Sequence, residues 1–92
     1  MADGATAPVL ISKVSPEFTM AARKAKASGT VLVNFVVNQK GMPTQVHVLR
    51  GVGYGLDKNA VEAVKQYRFK PAMKDDRPVD RELNVEVNFQ VF

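Results

Sequence analysis

Residues 82–91 carry the most restrictive pattern in this chain, because apolar and polar side chains alternate there without a break. Successive side chains of a strand point to opposite faces, so the segment predicts a strand with one apolar and one polar face. Such a strand belongs to an antiparallel sheet that is packed on one face and solvated on the other. The apolar positions are Leu83, Val85, Val87, Phe89 and Val91, and the polar positions are Glu82, Asn84, Glu86, Asn88 and Gln90.

A hairpin earlier in the chain supplies the expected partners of this strand. Residues 30–38 place Val31, Val33, Phe35 and Val37 on one face. Turn residues follow, and residues 44–50 then predict a second strand at hairpin distance. We expect the last strand to pair beside the first hairpin strand and to form an edge of the sheet.

A first helix is predicted from about residue 19 to residue 27. Phe18, Ala21, Ala22 and Ala25 recur at helical spacing and form a thin apolar stripe. Gly29 follows at the position where a glycine commonly ends a helix.

A second helix is predicted over residues 56–68. Asp57 is the N-cap candidate, and Leu56 and Val61 flank it as a hydrophobic staple. Pro71 disfavours helical geometry at the residue before it, so the helix ends by about Arg68. The predicted buried face consists of Ala60, Val61, Val64 and Tyr67.

These elements predict an α+β fold of two layers. A small antiparallel three-stranded sheet carries two helices on one face, and a short N-terminal strand over residues 9–14 is possible. A glycine-rich loop spans residues 51–55 and a charged turn spans residues 74–77. We divide the chain into a lead-in, residues 1–13, and one domain, residues 14–92.

Composition excludes several classes of function. The 92 residues contain no cysteine, which excludes disulfides, thiolate metal sites and cysteine nucleophiles. Thirteen basic residues against nine acidic ones give a net charge of +4, which suits a nucleic acid or an anionic membrane surface as a neighbour. No apolar run approaches the ~20 residues that a membrane-spanning helix needs.

The candidates for catalysis are weak. His47 is the single histidine and is interpreted as a surface residue. The glycines of the loop at 51–55 lack the spacing and the lysine of a phosphate-binding loop. Glu82 and Glu86 would lie about 13 Å apart at ~3.3 Å per residue, too far for paired acid–base chemistry. We therefore expect neither an enzyme nor a cofactor or metal site.

The ordered motifs resemble the C-terminal domain of TonB-type energy transducers over about residues 14–92. The resemblance rests on Pro16-Glu17-Phe18 with Ala22-Arg23, Gly29-Thr30-Val31, Asn38-Gln39-Lys40-Gly41, Leu56-Asp57, Tyr67-Arg68-Phe69-Lys70-Pro71, Pro78-Val79 and the final alternating strand. Three positions differ from the family pattern: Thr19 replaces a proline, Tyr67 a tryptophan and Asp76 a glycine.

The resemblance implies a periplasmic adaptor that is anchored to the inner membrane in the full-length protein. Such a domain binds the TonB box of outer-membrane transporters by strand addition and transmits energy from an inner-membrane proton-channel complex, which it reaches through an N-terminal anchor missing from this chain. It implies no nucleic acid partner. The implied peptide-binding residues are Leu83, Asn84, Val85, Glu86, Val87, Asn88, Phe89, Gln90 and Val91, together with Ser15, Pro16, Glu17 and Phe18.

Other readings remain open at this point. The βαββαβ order with a basic pI also fits an RNA-binding module, although the predicted open face of residues 44–50 offers Gln45, His47 and Leu49 in place of stacking aromatics. A structural domain of another envelope complex or of a membrane sensor would use the same fold. We expect a monomer, while the glycine-rich loop and the long final strand would also permit a swapped dimer.

Overall fold

In a computed structural model, which describes residues 5–90, two helices and seven strands follow one another along the chain. The central element is a three-stranded antiparallel sheet in the order β3-β2-β7. The α+β class and the pairing of the last strand beside the first hairpin strand are therefore confirmed. The elements are β1 (Val9–Ser12), α1 (Met20–Ala25), β2 (Gly29–Val37), β3 (Pro43–Arg50), α2 (Leu56–Lys65), β4 (Arg68–Lys70), β5 (Ala72–Lys74), β6 (Arg77–Val79) and β7 (Arg81–Phe89).

The two neighbours of β2 are paired with different regularity. Between β2 and β7, nine residue pairs run without interruption from Gly29 opposite Phe89 to Val37 opposite Arg81. Between β2 and β3 the register shifts twice. The short N-terminal strand does form, but it pairs with β4 in a separate two-stranded ribbon, and β5 and β6 form a further small hairpin.

The core lies on the face of the sheet that the alternation predicts. Val31, Val33, Phe35 and Val37 of β2 are at most 1% exposed, because they form one buried cluster with the apolar side of helix α2. Tyr67, just after α2, is buried against Phe69 and the rest of this cluster. The other buried members of the cluster are Ala22, Leu56, Ala60, Val64, Phe69, Val87 and Phe89.

The first helix is shorter than expected. Thr19 caps it, since its hydroxyl accepts the N–H of Ala22 at 3.0 Å, and Phe18 lies ahead of it. Lys26 ends it in a left-handed conformation, with φ 51°. The expectation that Gly29 terminates this helix was wrong, because Gly29 already belongs to β2. Of the predicted alanine stripe only Ala22 is buried, while Ala21 and Ala25 are exposed.

The second helix also begins and ends differently from the prediction. Its N-cap is Gly55, and the expected capping residue, Asp57, lies in the first turn. The Asp57 carboxylate instead accepts the backbone N–H groups of Val52 at 2.8 Å and Gly53 at 3.3 Å, so it fixes the glycine-rich loop. The helix ends at Lys65, three residues before the predicted end. Ala63 joins its buried face, and Val61 is only half-buried.

The charged turn is found where the sequence places it. Asp75 and Asp76 connect β5 to β6, and both adopt left-handed backbone angles, with φ 52° and 64°. Consecutive left-handed residues suit the tight turn of a two-stranded hairpin, a position that often takes glycine. The aspartate at position 76 thus adopts the backbone conformation for which the family pattern has glycine.

Candidate functional site

The outer side of β7 is an open edge of the sheet. Within residues 5–90, β7 pairs with β2 on one side, and no strand pairs with its other side. Alternate backbone N–H and C=O groups along an edge strand point away from the sheet and remain available to an added strand. Because the β2–β7 register is unbroken over nine residues, this edge is regular over about 30 Å at ~3.3 Å per residue.

The inward side chains of β7 anchor its second half most firmly. Val87 and Phe89 are 4% and 2% exposed, whereas Leu83 and Val85 are half-buried. The outward residues Glu82, Asn84, Glu86, Asn88 and Gln90 are exposed. Val91, also predicted to belong to the site, lies outside the described residues.

Side-chain hydrogen bonds on the open face tie β7 to β2. The amide of Asn34 donates to Glu82 Oε2 at 3.0 Å and to Asn84 Oδ1 at 2.8 Å. Further along, the Thr30 hydroxyl donates to Asn88 Oδ1 at 2.6 Å. Asn34 is only 8% exposed, and the sequence reasoning assigned it no role. The available signal was a polar residue in the middle of an otherwise apolar strand.

The segment of residues 13–18, here called the entry segment, runs beside the second half of β7. The Phe18 ring meets the Phe89 ring edge-on, with centroids 5.4 Å apart. From the other side, Asn59 of α2 donates its amide to the Glu17 carbonyl at 2.7 Å. The predicted site residues Ser15, Pro16, Glu17 and Phe18 are therefore brought next to the predicted strand.

A groove of about 180 Å³ separates the entry segment from β7. Lys13, Ser15 and Pro16 line one side of it, residues 86–88 line the other, and Tyr67 contributes to the lining between them. Burial raises the pKa of the Tyr67 hydroxyl above its usual value of 10.0, so this group is neutral at physiological pH. The residues that line the groove carry hydroxyl, amide, carboxylate and ammonium groups.

The opposite end of β7 borders a different cavity on the open face. About 470 Å³ is lined by Asn34, His47, Leu49 and residues 82–84. His47 is exposed, and its Nδ1 lies 3.0 Å from the Gln45 carbonyl of its own strand. Across residues 5–90, no three His, Cys, Asp or Glu side chains lie close enough together to hold a metal ion.

The other edge strand of the sheet, β3, is built differently. Pro43 has no N–H to offer, and Gln45 takes a left-handed backbone angle, with φ 53°, at the second shift in register. Helix α2 packs against β3. Bulges and proline disfavour the addition of a further strand, so β7 is the better acceptor of the two edges.

No helix in the described part of the chain is both long and apolar enough to cross a membrane.

Comparison with known proteins places the chain in a family. Residues 14–91 match the family model described as Gram-negative bacterial TonB protein C-terminal. Protein TonB of Vibrio cholerae is 31% identical over 86 residues, which cover 91% of this chain and 35% of that protein. Protein tonB2 of Pseudomonas aeruginosa is 33% identical over 78 residues, covering 84% of this chain and 29% of that protein.

A solved structure shares the fold. The solution NMR structure of the Pseudomonas aeruginosa TonB CTD aligns with a TM-score of 0.73 at 20% identity, over 98% of this chain and 89% of that one. The present chain spans about a third of the length of the curated relatives that it matches. The expectation of a non-enzymatic domain agrees with these matches, and so does the resemblance read from the motifs. With its fold and its residues 14–91 both matched, the chain belongs to the family of TonB C-terminal domains.

Proposed function

We propose that this chain is the transporter-binding domain of a TonB-type energy transducer, and that it holds the TonB box of an outer-membrane transporter as an extra strand on β7. The observation that carries the proposal is the regular, unpaired outer edge of β7 with the entry segment beside it. In the whole protein the domain lies in the periplasm and connects to an inner-membrane anchor. The domain itself performs no chemistry.

Strand addition suits a contact that forms and releases repeatedly. About eight added backbone hydrogen bonds at ~0.5–1.5 kcal/mol each supply roughly 4–12 kcal/mol. Association costs on the order of 4–15 kcal/mol, so backbone pairing alone gives weak, reversible binding. Side chains of Glu86 and Asn88, at the groove beside the entry segment, then add affinity and select among peptides.

The geometry also suits the transmission of force. A peptide paired along β7 pulls nearly parallel to the strands, so the load falls on all nine β2–β7 residue pairs together rather than on one pair at a time. The bonds from Asn34 to Glu82 and Asn84 reinforce that pairing on the open face. Phe89, in edge-on contact with Phe18, anchors the other end in the core.

Titration of the isotopically labelled domain with a TonB box peptide tests the proposal. Backbone amide shifts are expected in residues 81–90 and in the entry segment, and residues 43–50 of β3 serve as the internal control. Shifts confined to β3, or spread evenly over the domain, would overturn the assignment to β7.

Cross-linking tests the register more directly, because the chain contains no cysteine of its own. Asn88→Cys on β7 and Leu49→Cys on β3 are matched exposed positions. A peptide with one cysteine is expected to form a disulfide with the first variant, and moving the peptide cysteine by two residues should shift the yield to Glu86→Cys. Equal yields on the two strands would contradict strand addition on β7.

A further inference from the structure

The ribbon of β1 and β4 is a two-stranded sheet separate from the three-stranded one. We define it as residues 6–12 together with residues 68–73. The backbone of Thr6 donates to the Met73 carbonyl at 2.8 Å, and the pairing continues with Val9 opposite Lys70 and Ser12 opposite Arg68.

Half of the net charge of the chain lies in this ribbon. It contains two basic residues, Arg68 and Lys70, and no acidic residue. Of the thirteen basic and nine acidic residues in the whole chain, eleven basic and nine acidic residues are therefore left elsewhere, so the ribbon carries two of the four units of net charge. Neither of its two cations forms an ion pair with another residue in the range 5–90.

The two faces of the ribbon differ. Phe69 is 8% exposed and faces the core, where its ring lies 5.6 Å from Phe35 and 6.4 Å from Tyr67. Residues opposite one another in an antiparallel pair share a face, so Val9, Lys70 and Arg68 lie on the outer one.

Exposed aliphatic side chains accompany these cations. Val9 is 58% exposed and Ile11, at the irregularity in the pairing, is 68% exposed. Leu10, opposite Phe69 in the pairing, is 44% exposed. The other large exposed apolar side chains of the described residues are scattered singly over other parts of the chain, at Met20, Met42, Leu49 and Tyr54.

We propose that the outer face of this ribbon binds the surface of an anionic lipid bilayer. Exposed aliphatic side chains enter the boundary between headgroups and acyl chains, while lysine and arginine next to them meet the anionic headgroups. The interrupted β1–β4 register makes β1 a poor template for strand addition, so a lipid surface fits the ribbon better than an acidic peptide does. The ribbon shares no strand with β7, so this inference stands whether or not β7 binds a peptide.

Vesicle flotation tests the proposal with the chain as it exists. Binding is expected to vesicles that contain phosphatidylglycerol, to be absent with phosphatidylcholine alone, and to weaken as salt screens the charges. Lys70→Glu removes one positive charge and adds one negative charge, and should reduce binding about thirtyfold. Ile11→Ser should reduce it severalfold.

Matched controls place equal changes elsewhere. Lys24→Glu on α1 and Leu49→Ser on β3 alter residues that are also exposed, and both should retain binding. Equal losses in the controls, or no binding to the anionic vesicles, would overturn the proposal. Binding of a glutamate-rich peptide without binding of vesicles would also overturn it and would point to an acidic protein. If Ile11→Ser disturbs folding, as circular dichroism would show, Lys70→Glu still decides the question.

Discussion

The two edge strands of the sheet, β3 and β7, differ in how strongly they disfavour the addition of a further strand. Both strands leave one side of their backbone unpaired within the described residues. On β3 the register shifts twice, Gln45 is left-handed and Pro43 has no N–H. On β7 nine residue pairs with β2 follow one another without a shift in register, and the exposed residues are polar.

Irregularities of the kind found on β3 are what soluble proteins commonly use to prevent unwanted strand addition. Their presence on one edge shows that this small domain accommodates such protection without losing its fold. Because β7 lacks such irregularities, its edge remains suited to the addition of a strand, which is why we assign the peptide site to it. Four measurements would break or sharpen this comparison.

The largest expected effect concerns how each edge is anchored. Phe89→Ala removes a ring that is 2% exposed and in contact with Phe18, so the free energy of unfolding should fall by about 3–5 kcal/mol. Val46→Ala on β3 removes a half-buried side chain and should cost about 1 kcal/mol. Urea unfolding measures both, and similar losses would show that the two edges are anchored alike.

A second effect concerns the bonds that hold each edge strand to β2. Asn34→Ala removes two hydrogen bonds to β7, and because Glu82 and Asn84 are exposed and regain water, the expected loss is about 1–2 kcal/mol. Thr44→Val removes one hydrogen bond between β3 and the Val36 carbonyl and should cost about half as much. Amide exchange localises the effect: the first change should speed exchange in β7 and the second in β3. Faster exchange in β3 after Asn34→Ala would refute the assignment.

The third test places a glycine on each edge strand, and the two substitutions should change stability in opposite directions. Gln45→Gly relieves a left-handed residue and should raise stability by up to about 1 kcal/mol. Glu86→Gly in the extended backbone of β7 should lower it by about 0.5–1 kcal/mol. If thermal unfolding shows both changes to be destabilising to the same extent, the left-handed conformation of Gln45 carries no strain that glycine relieves.

The smallest effect is a dependence on pH. Burial raises the pKa of Tyr67 in the folded chain, so the folded state holds this proton more tightly than the unfolded state does. The resulting stability is complete below pH 10.0 and is lost as the pH rises through the raised pKa of the folded state. Unfolding measured across this range should show a loss that Tyr67→Phe removes. The loss should persist in the matched control Tyr54→Phe, which alters a tyrosine that is 51% exposed.

Because Tyr67 lines the groove at β7, amide shifts during this titration should appear in residues 86–88 rather than in β3. An unchanged pH dependence in Tyr67→Phe would contradict the assignment of the effect to this hydroxyl.

The parts of the fold that the sequence predicts are those that depend on local alternation. The faces of β2 and β7 follow from a period of two, and the antiparallel class of the sheet follows from the solvated polar face of its last strand. Because the second hairpin strand occupies one side of β2, the last strand is expected on the other side, so the sequence predicts an edge strand over one half of the candidate site, Leu83 to Val91. Its companion, Ser15 to Phe18, came only from the family resemblance.

What the sequence does not predict depends on contacts between distant segments. The partners of Asn34 are about 50 residues away along the chain, and nothing near it announces them. Aspartate is a residue type that commonly caps helices, but the backbone N–H groups of Val52 and Gly53, in the loop before α2, bind the Asp57 carboxylate instead. Lys26 ends α1 in a left-handed conformation, which glycine adopts most readily. The glycine that follows, Gly29, is instead the first residue of β2.

The chain order of the sheet has a consequence for synthesis. The central strand β2 meets β3 almost at once, but its other partner, β7, follows every other described element. The last residue of β7 lies 52 positions after the last residue of β2, so during translation β2 remains an unpaired edge until those residues have emerged. Pairing over such a sequence distance closes slowly, and incomplete chains expose an aliphatic surface meanwhile. A prematurely terminated product of this gene would thus be a substrate for chaperones or proteases. The strand that we assign to partner binding is therefore also the last one needed to bury the core of the newly synthesised chain.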